Sequence, residues 1–153
     1  DESNVEKILE MKTKKFIDAQ LQTRTELYPS ALEIVSQLRR KGKKLALVTA
    51  SVKEQIEVSA HQDLLKNFDV IISGEMTEKG KPFPDPYLKA AELLGVEPKD
   101  CIGIENAPLG VRSVKAAGMY CVGIAHTLPR HQLKEADIVL SVLEELSEFF
   151  HDI

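Results

Sequence analysis

Three places along the 153-residue chain put residues able to handle a phosphate or a hard cation directly behind an apolar run. Thr49-Ala50-Ser51 follows the run 45–48 and supplies two hydroxyls and successive amides at the start of a helical pattern, an arrangement that holds anions. Ser51 reads equally as a plain helix cap. Ser73 follows the run 70–72 and opens a loop in which Gly80-Lys81-Pro82-Phe83-Pro84-Asp85-Pro86 sets one lysine among prolines. Pro82 biases Lys81 toward extended backbone, and a lysine with few alternatives suits a point charge on phosphate. A solvated surface lysine is the competing reading. Glu105-Asn106 follows the run 101–104, and its carboxylate and carbonyl oxygens suit Mg²⁺, which takes one or two protein ligands plus water and phosphate. Without a metal, Glu105 is an ordinary turn acid.

These residues meet only if the apolar runs are strands of one sheet. The runs 45–48, 70–72, 101–104, 120–124 and 138–140 are nearly continuously apolar, as parallel strands covered on both faces must be. Longer amphipathic stretches separate them. Ser3 with Glu6, Ser51 with Glu54 and Ser141 with Glu144 have capping-box spacing, and Asp85-Pro86 offers a cap followed by proline at the first helical position. Gly42, Gly95 and Gly118 stand where helices end on a left-handed residue. Strand and helix alternating over short links predict an α/β fold, a Rossmann-like doubly wound parallel sheet. In such sheets ligands sit beyond the carboxyl ends of the strands, where all three places lie.

Residues 1–27 read as helix with no strand after it. At about 100° per residue Val5, Ile8, Leu9, Phe16 and Ala19 share a face, with Lys12 near its middle. Either the Lys12 stem packs while its ammonium reaches water, or the face borders a polar cleft and Lys12 meets an anionic ligand.

Composition removes several classes. A net charge of -4, 5% aromatic residues and no Trp disfavour nucleic acid and anionic membranes. No apolar stretch approaches the roughly 18 residues a membrane span requires. Cys101 and Cys121 sit in apolar runs as buried small hydrophobes, which points to a reducing, cytoplasmic setting. His61, His126, His131 and His151 lack zinc spacing, and no glycine-rich dinucleotide fingerprint occurs.

The segments Leu-Val-Thr-Ala-Ser (47–51), Gly-Lys-Pro-Phe-Pro-Asp-Pro-Tyr (80–87) and Ile-Glu-Asn-Ala-Pro-Leu-Gly-Val-Arg-Ser-Val-Lys-Ala-Ala-Gly-Met (104–119) together resemble the haloacid dehalogenase-like hydrolases, particularly the β-phosphoglucomutase-like phosphatases. The resemblance runs from about Tyr28 to the C-terminus. It implies that Thr49 binds the transferring phosphate, with the Ala50 amide and Ser51 beside it. Lys81 would screen the phosphate charge, and Glu105 and Asn106 would hold Mg²⁺. It further implies a partial helical cap over residues 1–27, carrying Lys12 toward substrate, and an α/β core over 28–153. Asn106 stands where the family often has Asp, so its contribution to metal binding is weaker than a carboxylate's.

The family attacks phosphate with the first Asp of an Asp-x-Asp motif, and no Asp-x-Asp exists in this chain. That motif ends a central strand, which by resemblance lies between the runs 45–48 and 101–104. Its absence, and a start at Asp1 rather than Met, lead to the expectation that these residues are the C-terminal portion of a longer protein, or that a second chain supplies the strand. The chain alone is then expected to be inactive, and the complete protein to be a phosphatase or phosphosugar mutase acting on a small phosphorylated metabolite through an aspartyl-phosphate. The alternative is a non-catalytic phosphate-binding module or subunit.

Overall fold

The fold, seen in a computed structural model, is a set of parallel strands between two helical layers. The structure describes residues 2–22, 27–59 and 62–151; the side chains of residues 2, 3, 6, 9, 16, 20–22 and 59 are outside that description. The readings at Ser3, Glu6, Leu9, Phe16 and His61 therefore fall outside the described residues. The elements in order are α1 (Glu2–Gln22), α2 (Pro29–Arg40), β1 (Ala46–Val48), α3 (Lys53–Ser59), α4 (Gln62–Leu65), β2 (Val70–Ile72), α5 (Asp85–Leu94), β3 (Ile102–Glu105), α6 (Pro108–Ala116), β4 (Tyr120–Ile124), β5 (Ile138–Leu140) and α7 (Glu145–Phe149). Short 3₁₀ turns occupy Pro98–Asp100 and Arg130–Leu133.

Two apolar clusters hold the layers together. Tyr87 and Ala91 of α5 pack with Val111 and Val114 of α6, Cys121 of β4 and Leu133 on one face. Ile34 and Leu38 of α2 pack with Val122 and Ile124 of β4, Leu140 of β5, Leu146 and Phe150 on the other. Successive β4 residues serve opposite faces because side chains alternate across a strand, which is why that run is apolar throughout. Gly103 lets β3 approach α6: a Cβ there would stand 2.5 Å from both methyl groups of Val114. Burial, followed by the Asp137 and Glu105 carboxylates, pushes the Cys121 thiol up to about 12, so it behaves as the inert hydrophobe expected. Among the described residues no helix is long and apolar enough to cross a membrane.

The strands form two groups, each parallel. β1 pairs with β2, Leu47 opposite Ile71; β4 lies between β3 and β5, with Ile104 opposite Val122 and Gly123 opposite Val139. Among the described residues β1 and β3 each have a strand on one side only. Burial follows: β4 is buried over its last four residues, β1 is half-buried throughout, and Ile104 in the middle of β3 is 39% exposed.

Local details depart from the sequence reading by one residue at several helix starts. α3 begins after Val52, whose amide donates to Gln55 Oε1 at 3.3 Å, so the Ser51–Glu54 box is displaced one step along the chain. The Ser141 amide donates to Glu145 Oε2 at 3.3 Å, so Glu145 and not Glu144 reaches back. α5 already includes Asp85, its cap residue is Pro84, and no side chain caps it. Gly42, Gly95 and Gly118 do take positive φ, at 73°, 62° and 75°. On α1 the proposed apolar face is not buried at Val5 and Ile8, which are 57% and 64% exposed.

Candidate active site

The loops leaving β1, β2 and β3 come together at the carboxyl ends of the strands. Thr49 donates its amide to Ile72 of β2 at 3.0 Å. Backbone groups of successive strand residues point to opposite sides, so the Val48 carbonyl faces away from β2. Lys81 Nζ donates to that carbonyl at 3.2 Å. The same ammonium pairs with Glu105 Oε1 at the end of β3. One lysine from the proline-rich loop thus ties together the ends of β1 and β3, which share no strand neighbour among the described residues. The Lys81–Pro82 peptide is cis.

Thr49, Ala50 and Ser51 form a tight turn at the end of β1. The Ser51 amide donates to Thr49 Oγ1 at 3.0 Å, and the Gly74 amide donates to the Ser51 carbonyl at 2.9 Å. Gly74 is required there, since a Cβ would collide with the Ala50 carbonyl. Asn106 donates its own amide to Glu105 Oε2 at 3.2 Å and its Nδ2 to Thr127 Oγ1 at 3.2 Å, past the end of β4. The structure therefore brings Thr49, Ala50, Ser51, Lys81, Glu105 and Asn106 to one end of the strands, with Lys81 and Glu105 in direct contact.

Glu105 is 8% exposed and sits in a cradle that the sequence reading did not assemble. Tyr87 of α5 donates its hydroxyl to Glu105 Oε1 at 2.5 Å, and its ring centroid lies 5.2 Å from Lys81 Nζ. Burial, reinforced by the Glu105 carboxylate, drives the Tyr87 hydroxyl well above the usual phenol range, so it remains a donor. Gly110 in the first turn of α6 leaves the carboxylate its space: a Cβ at 110 would collide with it. Both residues lie within the motifs read from sequence, yet nothing in their spacing connects them to Glu105.

Lys12 is exposed and is not among the residues bordering the cleft beside this site. That cleft, of about 460 Å³, lies between α1 and the loops after β1 and β2, and is lined by Glu10, Thr13, Lys14, Ile17, Val52, Glu54 and Glu75. Lys14 is the α1 cation that borders it. Among the described residues no three His, Cys, Asp or Glu side chains converge to hold a metal. Glu105 and Asn106 nevertheless offer the hard oxygen donors Mg²⁺ accepts, in the small number it takes from protein.

The hydroxyls of Thr49 and Ser51, the partly buried Lys81 and the Glu105 carboxylate thus meet at the carboxyl ends of the strands, where ligands sit in α/β folds of this kind. The chain belongs to the haloacid dehalogenase-like hydrolases, whose family model matches residues 3–118. It is 37% identical over 118 residues to validoxylamine A 7'-phosphate phosphatase of Streptomyces hygroscopicus subsp. limoneus, covering 76% of this chain and 55% of that protein. It is 31% identical over 131 residues to β-phosphoglucomutase of Bacillus subtilis, covering 85% of this chain and 56% of the other. The crystal structure of a point mutant of CbbY from Rhodobacter sphaeroides with xylulose-1,5-bisphosphate superposes with a TM-score of 0.82 at 28% identity, over 93% of this chain and 65% of that one. The chain thus spans little more than half the length of these two curated relatives.

Proposed function

We propose that this chain carries the phosphate- and cation-binding part of an enzyme that hydrolyses or transfers the phosphoryl group of a small phosphorylated metabolite. The observation that carries the reading is Lys81, held between the Val48 carbonyl and the Glu105 carboxylate at the ends of β1 and β3, which share no strand neighbour among the described residues. In this reading Thr49 and the Ala50 amide, with Ser51 beside them, bind the phosphoryl oxygens, and Lys81 screens their charge. Glu105 and Asn106 hold Mg²⁺, which when bound neutralises charge developing on the transferred group. An aspartate that becomes the aspartyl-phosphate arrives on a strand entering between β1 and β3, from an N-terminal segment or a second chain. Residues 1–27 act as part of a cap over the 28–153 core. Lys14, ahead of Lys12, is the α1 cation placed to meet substrate. The two free cysteines suit a cytoplasmic setting.

A non-catalytic phosphate-binding module is the second reading, favoured by the lack of any Asp-x-Asp among the 153 residues. Turnover of p-nitrophenyl phosphate with Mg²⁺ separates the two. The 153-residue chain alone should be silent under either reading. The protein expressed from its complete reading frame should turn over under the first, and Lys81→Ala should lower its kcat/KM by about 100-fold. Turnover by the isolated chain that a substitution within it abolishes would refute the missing-nucleophile argument; silence of the complete protein, with phosphate still bound, would favour the binding module.

A further inference from the structure

We propose that Tyr87 is a positioning residue that keeps the Glu105 carboxylate in place while Lys81 turns toward a bound phosphate. The inference rests on the phosphoryl-transfer reading above and adds a division of labour between two donors on one oxygen. Glu105 Oε1 receives both the Lys81 ammonium and the Tyr87 hydroxyl. The two donors differ in how firmly they are fixed. Tyr87 is 6% exposed and its ring is packed in the core against α6, so its hydroxyl has one address. Lys81 extends a flexible stem from a loop and keeps 17% of its side chain exposed.

A carboxylate as buried as Glu105 is costly to leave without donors. Were Lys81 the only donor on Oε1, moving the ammonium to a phosphate would strip that oxygen. The Tyr87 hydroxyl keeps it satisfied, so the ammonium can be shared between Glu105 and a ligand. The Tyr87 ring face, 5.2 Å from Nζ, offers the cation a surface to move across. Gly110 closes the third side, so the carboxylate is steered by contacts that do not depend on Lys81.

The test is calorimetric titration of inorganic phosphate, with Mg²⁺ chelated, into the protein expressed from its complete reading frame. Tyr87→Phe keeps the ring and its packing and removes only the hydroxyl. Lys81 then becomes the principal donor Glu105 has on Oε1, and the phosphate Kd should rise about tenfold. In a Glu105→Gln background, where no carboxylate competes for the ammonium, Tyr87→Phe should leave the Kd unchanged. An unchanged Kd in the first comparison, or the same tenfold loss in the second, overturns the proposal, because Tyr87 would then act independently of Glu105. A crystal structure of the phosphate-bound wild type needs no variant to fold: Lys81 on phosphate with Tyr87 still on Glu105 supports the proposal, and Lys81 unmoved overturns it. Wild type that binds no phosphate at all would remove the functional reading itself, a failure distinct from these.

Discussion

Replacing Gly110 by alanine sets two effects of opposite sign against each other. Position 110 lies within α6 (Pro108–Ala116), where alanine is ordinarily better than glycine by about 1 kcal/mol. Here the new Cβ would fall on the Glu105 carboxylate, closer than atoms approach in real structures. A carboxylate at the tip of a side chain can in general swing aside. This one is 8% exposed and held by Tyr87 and Lys81, so moving it breaks hydrogen bonds to a buried charge. Overpacking costs about 1 to 3 kcal/mol, and a lost hydrogen bond to a charged group about 1.5 to 3. Subtracting the helix gain leaves a net destabilisation of about 1.5 to 5 kcal/mol. Urea denaturation of the protein from its complete reading frame measures it, with Gly80→Ala as the control because a Cβ there meets nothing within 4 Å. A Gly110→Ala variant more stable than wild type would refute the cradle, since only the propensity gain would then be at work.

Asp137 accepts from the Lys115 ammonium and the Cys121 amide, in that order of effect, and its carboxyl is held below the usual carboxylate range. A depressed folded pKa contributes stability that is complete above the unfolded value near 3.8 and is lost as pH falls through the folded one. The urea midpoint should therefore drop below about pH 4, and Asp137→Asn should flatten that drop; a variant with an unaltered acid limb would contradict it. Leu146 is 1% exposed beneath α2, so Leu146→Ala should cost about 2 to 4 kcal/mol, whereas Leu109→Ala at 52% exposure should stay within about 0.5. Equal costs at the two positions would mean the second cluster is not packed as described.

The five strands were legible because each is short, apolar and bounded by turn residues, and β2, β4 and β5 fall on the residues their runs delimit. Glycine caps were legible for a similarly local reason, since Gly42, Gly95 and Gly118 adopt a backbone conformation that a side chain disfavours. The order of chemistry along the chain, hydroxyl then lysine then acid after successive strands, also survives translation into space, because a parallel sheet puts all strand ends on one side. What lay beyond the sequence depends on contacts between distant segments. Tyr87 belongs to an α5 face that periodicity marks as core, and only the packing of α5 beside β3 turns its hydroxyl onto Glu105. Lys14, not Lys12, borders the cleft because the direction α1 presents is set by its contact with α3 rather than by its own apolar stripe. That β1 and β3 each keep an unpaired edge among the described residues was expected from the missing Asp-x-Asp motif and the family resemblance, not from the strand residues themselves, since every residue except proline offers a neighbour the same amide and carbonyl.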